Sequence, residues 1–469
     1  MRGRRTARGT TTGLFGPEYR RLTTGLLLVM SFVAFEQMSV VTVLPAVLAS
    51  LHDVALYGWA FSAFMLAQVA GVILAGPAVD RIGLARPLSA ACLGFCAGLI
   101  AGGLAPSMPV LISGRAIQGI SAGFIVVTLY AGVGRGYPAR LQARAFAATD
   151  TAWLLPSVVG PALAGIIAQA LTWRAVFLGI VPAVLLGAAV ARPALGAAEA
   201  AQSESAPAQV PARLALAAAL AGGAWLALQA LSTRKPAVAA AMAVAGLALL
   251  VPAIRRVLRA GGRSRATPQR TAMIVAGLAA AAFFGTESYI PLALTSLHDR
   301  TLTEAGAVLT TAAAAWIAGS WAQVRAAGRI RARALYAASL ALIAVGILGI
   351  LAISWPSTPW WVVFAAWATA AVGMGVLTNT AAFSAVSRDA PPGGGPGTSL
   401  GDSVAGQQVL ISLGTAIGAG IGGAMLAWSV RSGYGRAPGL RAFDMSEFAL
   451  ALGAILVALG LRERQARSE

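Results

Sequence analysis

The sequence predicts an all-α polytopic membrane protein with 14 transmembrane helices. Of its 469 residues, 58% are hydrophobic and only 11% are charged, whereas soluble proteins carry about 25% charged residues. The apolar residues gather in stretches of about 20, the length that a helix needs to cross a bilayer. The basic residues concentrate in alternate loops between these stretches, as expected when a chain crosses the membrane repeatedly.

Six apolar stretches make up the first part of the chain. A basic tail, residues 1–21, precedes them, and together they form a predicted N-terminal six-helix bundle over 22–191. The individual spans are predicted at 22–49, 57–79, 87–105, 110–133, 145–170 and 174–191.

Two shorter apolar stretches follow a linker rich in Pro, Ser and Glu. The linker is predicted over 192–212, and the two extra helices together occupy 213–254, at 213–231 and 237–254. A basic loop over 255–270 comes next. Two full crossings and a re-entrant hairpin both fit this middle region, because each returns the chain to the same side of the membrane.

A second set of six apolar stretches forms the predicted C-terminal six-helix bundle over 271–461. A short basic tail, 462–469, ends the sequence. The spans of this bundle are predicted at 271–297, 304–324, 334–354, 359–387, 398–428 and 443–461.

The distribution of arginine fixes the expected orientation. Basic residues mark cytoplasmic loops, so both termini are predicted to be cytoplasmic. The net charge of +19 therefore reflects membrane topology, and no nucleic-acid partner is expected. Only Lys235 among the 35 basic residues is a lysine. With the abundant Ala and Gly, this composition is typical of a GC-rich bacterial genome and indicates a bacterial inner membrane protein.

The two halves contain a related segment. Residues 45–53, PAVLASLHD, recur as residues 291–299, PLALTSLHD, each at the end of the first helix of its half. Many secondary transporters are built from repeated halves with the substrate site between them. The repeat therefore predicts two pseudo-symmetric bundles around a central path.

A charged turn between the second and third spans carries the first resemblance to a known family. Residues 76–86, GPAVDRIGLAR, resemble the Gly-x-x-x-Asp-Arg-x-Gly-basic loop of major facilitator transporters. The sequence departs from that pattern at Leu84 and Ala85, where basic residues are usual. Arg86 is expected to take the place of those basic residues.

Three further segments resemble the same family. They are Arg115-Ala-Ile-Gln118-Gly in the fourth span, Gly160-Pro161-Ala-Leu-Ala-Gly165 in the fifth, and residues 173–177, WRAVF, at the start of the sixth. The resemblance covers the whole chain, and the two extra helices suit the 14-span drug:proton antiporter group. It implies the major facilitator fold, a proton-coupled cycle and a gating role for the glycine- and proline-rich segments.

Ionisable residues inside predicted spans are the first candidates for function, because burying a charge in the bilayer is costly. Glu36, Arg115 and Glu287 all lie well inside spans. We expect Glu36 to be the main proton carrier, with Arg115 and the substrate competing for its carboxylate. A static Glu36–Arg115 ion pair that joins two helices is the alternative. Glu287 is expected to bind a proton or substrate.

A second group of polar residues is predicted to line a substrate cavity. Asp150 and Asp402 lie in the first turns of the fifth helix of each half. There they either bind substrate or stabilise the helix N-terminus, which favours negative charge. The other members either line the cavity or join helices by hydrogen bonds. These are Gln37, Gln118, Tyr289, Asn379 and Gln407.

A third group is predicted to control gating. Asp80 either caps the helix predicted over 398–428 or pairs with Arg140 or Arg144, which would clasp the cytoplasmic side of the path. The glycines and proline of the fifth span either allow bending or serve close packing alone. The complete gating set is Gly76, Asp80, Arg81, Gly83, Arg86, Arg144, Gly160, Pro161 and Gly165.

The favoured function is secondary active transport by alternating access, with proton-coupled efflux of amphipathic small molecules or drugs. An uptake symporter or a lipid exporter on the same fold is the nearest alternative, and a polytopic membrane enzyme a remote one. The chain has two histidines and two cysteines, so no metal site, catalytic residue or cofactor is predicted. The expected partners are a small-molecule substrate, protons and the lipid bilayer, and the protein is expected to be a monomer.

Overall fold

A computed structural model describes residues 13–199, 210–260, 268–326, 329–355, 357–386 and 400–460, and the regular structure within these ranges is helical. Fourteen helical segments of this part are long and apolar enough to cross a membrane. The predicted all-α fold with 14 spans is confirmed.

Six helices form the N-terminal half, referred to below as the N-half. A short 3-10 turn, Val54–Leu56, joins the first two. The helices are α1 Arg20–Leu51, α2 Trp59–Ile82, α3 Ala85–Gly103, α4 Met108–Gly136, α5 Ala139–Ala170 and α6 Trp173–Glu199.

Two helices, α7 Val210–Ser232 and α8 Pro236–Ala260, follow the N-half. Each contains an apolar segment of 22 or 24 residues, long enough to cross a bilayer, which favours two full crossings over a re-entrant hairpin. They pack against each other, and α7 also lies against α2. Helices α6 and α7 both extend into the predicted linker, whose residues 200–209 lie outside the described ranges.

The C-terminal half, or C-half, contains the remaining helices. Its final helix begins seven residues earlier than the sequence predicts, at Arg436 rather than at residue 443. The helices are α9 Pro268–Glu287, α10 Ile290–Leu297, α11 Leu302–Ala326, α12 Ala332–Ile353, α13 Val362–Val386, α14 Leu400–Arg431 and α15 Arg436–Leu459. The division of the chain into the predicted domains stays a prediction.

The first span of the C-half is broken where the sequence predicts one continuous helix. Helix α9 ends at Glu287, and α10 begins at Ile290 after two intervening residues. Pro291 contributes to the break, because it donates no backbone hydrogen bond and its ring clashes with the Glu287 carbonyl group. The equivalent Pro45 lies inside the continuous helix α1, so the proline is not sufficient by itself. The break places four polar residues, 286–289, in the middle of a membrane span.

The halves repeat one helix–helix contact. In the N-half, a Cβ atom at Gly119 of α4 would lie 2.1 Å from the Phe64 carbonyl oxygen of α2. In the C-half, a Cβ atom at Gly375 of α13 would lie 2.2 Å from the Trp316 carbonyl oxygen of α11. Only glycine fits at such distances, so both pairs of helices meet backbone to backbone.

The helix ends define two faces of the molecule. The Tyr19 ring stacks on Tyr137 with centroids 5.3 Å apart, and Asp80 pairs with Arg135, so these ends of α1, α2 and α4 lie together. We call this the basic face. The face that carries the turn between α1 and α2 is called the opposite face.

Candidate functional site

The N-half contains a buried ion pair between α1 and α4. Arg115 donates hydrogen bonds from Nη1 to Glu36 Oε1 and, at 2.6 Å, to Gln118 Oε1. Its Nε donates to the Ala60 carbonyl of α2 at 3.1 Å, and its guanidinium lies 4.2 Å from the centre of the Phe64 ring. Three helices therefore hold Arg115 in one position.

Glu36 has no exposed surface and Arg115 is 2% exposed. The predicted proximity of these two residues is thus present, and neither lipid nor bulk solvent reaches the carboxylate in this conformation. Both roles of Glu36, as a proton carrier and as one partner of an ion pair that joins two helices, stay predictions.

One side of the Glu36 carboxylate is unpaired. Its Oε2 atom has no hydrogen-bond partner among the described residues, and neither do the nearby hydroxyl groups of Ser39 and Thr42 along α1 or the amide nitrogen of Gln37. An unsatisfied buried polar group costs about 1–3 kcal/mol. Native structures keep few such groups, so a cluster of them marks a candidate binding site.

The break between α9 and α10 supplies the second candidate region. Glu287 is 8% exposed, and Thr286 is 1% exposed with no hydrogen-bond partner for its hydroxyl. The indole of Trp367 lies beside Glu287, where the Phe283 ring stacks on it at 4.4 Å. The two predicted proton-coupling acids therefore occupy different halves, and among the described residues an arginine pairs with Glu36 but not with Glu287.

Two further buried acids, Asp444 and Glu447, lie on α15 and were missed by the sequence analysis. Asp444 is 5% exposed and Glu447 is fully buried. Their spacing of three residues, which places them on one helix face, was a readable signal. It was missed because the span was predicted to begin at 443, which put Asp444 at a helix end instead of two turns inside.

Helices α2 and α14 form a seam between the halves. Just before α2, the Tyr57 hydroxyl donates at 3.2 Å to the carbonyl of Ser288, which lies in the break between α9 and α10. Further along α2, the Ser62 hydroxyl donates to the Ala416 carbonyl at 2.8 Å. Near the middle of the span, the Ser412 hydroxyl donates to Gln68 Oε1 at 3.0 Å.

Helices α5 and α11 form a second seam, which includes part of the predicted gating set. A Cβ atom at Gly165 would lie 2.6 Å from the Leu302 carbonyl oxygen, and one at Gly306 would lie 2.3 Å from that of Pro161. Gly160 instead faces Phe35 of its own half. Pro161 and Gly165 thus pack the two halves together, and a role in bending stays a prediction.

The predicted elbow joins α2 to α3 on the basic face. Gly83 ends α2 with φ of +81°, a conformation that other residues rarely adopt. Asp80 pairs with Arg135 of α4 at 2.7 Å, both side chains being partly exposed, a partner that the sequence analysis did not name. A Cβ atom on Gly76 would lie 2.7 Å from Arg213 of α7.

The remaining predicted residues are placed as follows. Arg81, Arg86 and Arg144 are exposed on the basic face, and Asn379 and Gln407 are partly buried on α13 and α14. Tyr289 is buried, and its hydroxyl donates to the Ala419 carbonyl at 2.6 Å. Asp150 and Asp402 lie on α5 and α14, but their side chains fall outside the described part of the structure.

Comparisons with known proteins agree with this architecture. The sequence profile of the Major Facilitator Superfamily matches residues 26–402. A Mycobacterium tuberculosis (strain CDC 1551 / Oshkosh) protein named an uncharacterized MFS-type transporter is 34% identical over 175 residues, which are 37% of this chain and 26% of the relative. The multidrug transporter protein MdtP of Bacillus subtilis (strain 168) is 28% identical over 156 residues, 33% of this chain and 29% of that protein.

Solved structures share the whole fold at low sequence identity. The crystal structure of an auto-inhibited POT family peptide transporter superposes with a TM-score of 0.67 and 16% identity, covering 94% of this chain and 96% of that one. The matched region spans less than a third of the two curated relatives described above. The profile match over most of the sequence and the shared helical architecture lead to one conclusion: this multi-pass membrane protein belongs to the Major Facilitator Superfamily.

Proposed function

We propose that the protein exports amphipathic small molecules by alternating access and couples this export to proton entry. The observation that carries the proposal is the buried Glu36 carboxylate, which binds Arg115 through one oxygen and leaves the other unpaired. Such a group can bind a proton, the arginine or a cationic substrate, and competition among the three links proton and substrate fluxes.

The coupling step follows from the charges at this pair. Protonation of Glu36 removes its negative charge and weakens its hold on Arg115, which keeps its bonds to Gln118 and Ala60. A buried cation without a counter-charge costs several kcal/mol, so the freed Arg115 would favour a rearrangement that brings it water or an anion. Because Glu36 is sealed in this conformation, its proton must exchange in another one.

The two seams are the surfaces about which the halves would move. The hydrogen bonds between the halves run from Tyr57, just before α2, to Gln68 near the middle of the span. If arginine-rich loops are cytoplasmic, the opposite face is the external one. The conformation would then be closed to the outside, and rupture of these bonds would open it.

The choice of drugs as substrates rests on the relatives. MdtP, which matches a third of this chain, is named a multidrug transporter. An aromatic ring adjoins this acid, since the Arg115 guanidinium that binds Glu36 lies 4.2 Å from the centre of the Phe64 ring. An acidic group in aromatic surroundings suits cationic amphipathic molecules. A monomer in a bacterial inner membrane is the proposed setting.

Transport by the purified protein in liposomes tests this function. A proton gradient of either sign is imposed, and a panel of cationic dyes and antibiotics is measured for uptake into or loss from the vesicles. We expect substrate to move against the direction of proton flow. Movement in the same direction as protons would make the protein a symporter, and equal transport with and without the gradient would contradict proton coupling.

A matched pair of variants separates the buried acid from surface charge. Glu36→Gln is compared with Glu18→Gln, which removes an exposed carboxylate at the basic face. We expect only the first to lose gradient-driven transport. A lipid exporter would be recognised by gradient-driven movement of labelled phospholipid in place of the dyes.

A further inference from the structure

Glu447 of α15 is a fully buried acid without a hydrogen-bond partner among the described residues. It is 0% exposed, and neither of its carboxylate oxygens is bonded to a described residue. Asp444, one turn earlier on α15, is 5% exposed. The proposed coupling at Glu36 makes no use of either residue.

The Glu447 carboxylate lies against the backbone of α9, just before the helix break. Its Oε1 atom is 3.1 Å from the position that a Cβ atom on Gly285 would occupy, and the Gly418 backbone of α14 is equally close to that position. Glycine at 285 therefore leaves room for the carboxylate between the two helices. The next residue, Thr286, carries a buried hydroxyl group that also has no partner.

The elements packed against α15 bring no positive charge to this place. Helix α9 carries Arg270 in its first turn, where it bonds to the Leu258 carbonyl at 3.0 Å, and Glu287 at its other end. The break contributes Tyr289, which lies near Glu447. Residues 406–431 of α14 carry only Arg431, at the far end, where it bonds to its own helix at Ala427. Helix α10 has no ionisable residue, and those of α12, Arg333 and Tyr336, lie in its first five residues at the basic face.

The arginine nearest in sequence is Arg441, one turn before Asp444 on α15. Its guanidinium lies 4.9 Å from the centre of the Trp355 ring near the opposite face. The three ion pairs found in the described part of the chain involve neither Asp444 nor Glu447. An ionised carboxylate held there would cost several kcal/mol, which uncharged Glu447 avoids.

We propose that Glu447, together with Asp444, is a proton-binding site of the C-half, and that Glu447 holds a proton in the conformation seen here. A protonated carboxyl group carries no charge, so it can occupy this place without a counter-charge. The Thr286 hydroxyl, one residue from Gly285, is not hydrogen-bonded to it in this conformation. Loss of the proton requires water to reach α15, which requires α9 and α14 to separate beside Gly285. The site therefore links protonation to the helix break.

Infrared spectroscopy of the purified protein in lipid nanodiscs tests this site directly. At about pH 7 an ordinary glutamate is ionised, so the carbonyl stretch of a protonated carboxylic acid reports only unusual groups. We expect Glu447→Gln to remove part of this band and Glu18→Gln to leave it unchanged. A band of the same intensity in wild type and Glu447→Gln would overturn the proposal.

Two further measurements keep the test decisive. If Glu447→Gln does not fold, Glu447→Asp replaces it: the band should change frequency, and an unchanged spectrum would count against the site. Spectra in sodium are compared with spectra in a large organic cation at the same pH. Loss of the band on adding sodium would make this a metal-cation site and refute a proton site.

The inference deepens the proposed proton coupling, yet the two can fail separately. The infrared band reports proton binding whether or not the protein couples transport to protons. A retained band combined with gradient-independent transport would refute the proposed function and leave the site. Gradient-driven transport with no Glu447 band would refute the site and leave the proposed function.

Discussion

The two halves bury acidic residues in different ways. In the N-half, Glu36 is held by Arg115, which is itself held by Gln118 and the Ala60 carbonyl. In the C-half, Glu287 and Glu447 are also buried, at 8% and 0% exposed, but the ion pairs of the described residues do not include them. Helices that repeat the same backbone contacts in each half therefore surround opposite electrostatic arrangements.

This difference indicates that the buried acid of the N-half responds to competing cations, whereas the buried acids of the C-half bind protons. An ion pair keeps both partners charged in a medium of low dielectric constant, so the N-half can respond to any cation that competes with Arg115. An unpaired buried acid avoids the cost of ionisation by holding a proton. We therefore assign competition with substrate to the N-half and proton retention to the C-half.

The largest expected effect comes from breaking the ion pair on one side. Arg115→Met leaves the Glu36 carboxylate buried without its counter-charge and should destabilise the protein by about 3–5 kcal/mol. The double variant Arg115→Met, Glu36→Gln removes both charges and should recover most of that loss. Thermal unfolding in detergent measures both variants. Equal stability of the single and double variants would show that the pair is not energetically coupled.

The matching substitution of a buried acid in the C-half should have a much smaller effect on stability. Glu447→Gln replaces a protonated acid by an amide of nearly the same shape, so we expect a change below about 1 kcal/mol. The measurement is again thermal unfolding, with Arg115→Met as the reference. A loss as large as that of Arg115→Met would mean that Glu447 is charged and paired, and the contrast between the halves would fail.

The contact of Tyr57 with the helix break of the C-half should respond to the loss of a single hydroxyl group. Tyr57→Phe removes the bond to the Ser288 carbonyl, which is worth about 0.5–1.5 kcal/mol. Its loss should shift the population towards the state open at the opposite face, by roughly fivefold for 1 kcal/mol.

Labelling of a reporter cysteine measures this shift. Ala49→Cys lies in α1 beside a cleft of the opposite face that Leu292 and Ser296 also line, and an impermeant maleimide should reach it faster in the Tyr57→Phe background. Tyr434→Phe, which changes an exposed tyrosine of the same face, serves as the control. Equal labelling rates in all backgrounds would exclude a gating role for Tyr57.

The smallest effect is expected at the elbow. Asp80→Asn removes a half-exposed ion pair with Arg135, and such pairs contribute about 0–1 kcal/mol. Because the conformation seen here contains this pair, we expect a slight shift away from it, measured as a change in the labelling rate of Ala326→Cys at the end of α11. Arg135→Gln should produce the same shift, and an effect of Asp80→Asn alone would show that another partner of Asp80 matters more.

Most of the fold could be predicted because long apolar stretches have few alternatives in a membrane. Every span and the proximity of Glu36 and Arg115 followed from apolar length and from the cost of buried charge. The break at Glu287 was missed although Pro291 signals it, because an apolar stretch long enough to span reads as one helix. The seams could not be predicted, because several of their hydrogen bonds go to backbone carbonyls, such as those of Ser288 and Ala416, which every residue type carries.

The central claim is that the Glu36 carboxylate couples proton and substrate movement, and two assays on the same liposomes test it most directly. One measures substrate exchange without a gradient, and the other measures substrate movement driven by a proton gradient. The account predicts that Glu36→Gln retains exchange and loses gradient-driven movement. Gradient-driven movement at the wild-type rate in Glu36→Gln would contradict it.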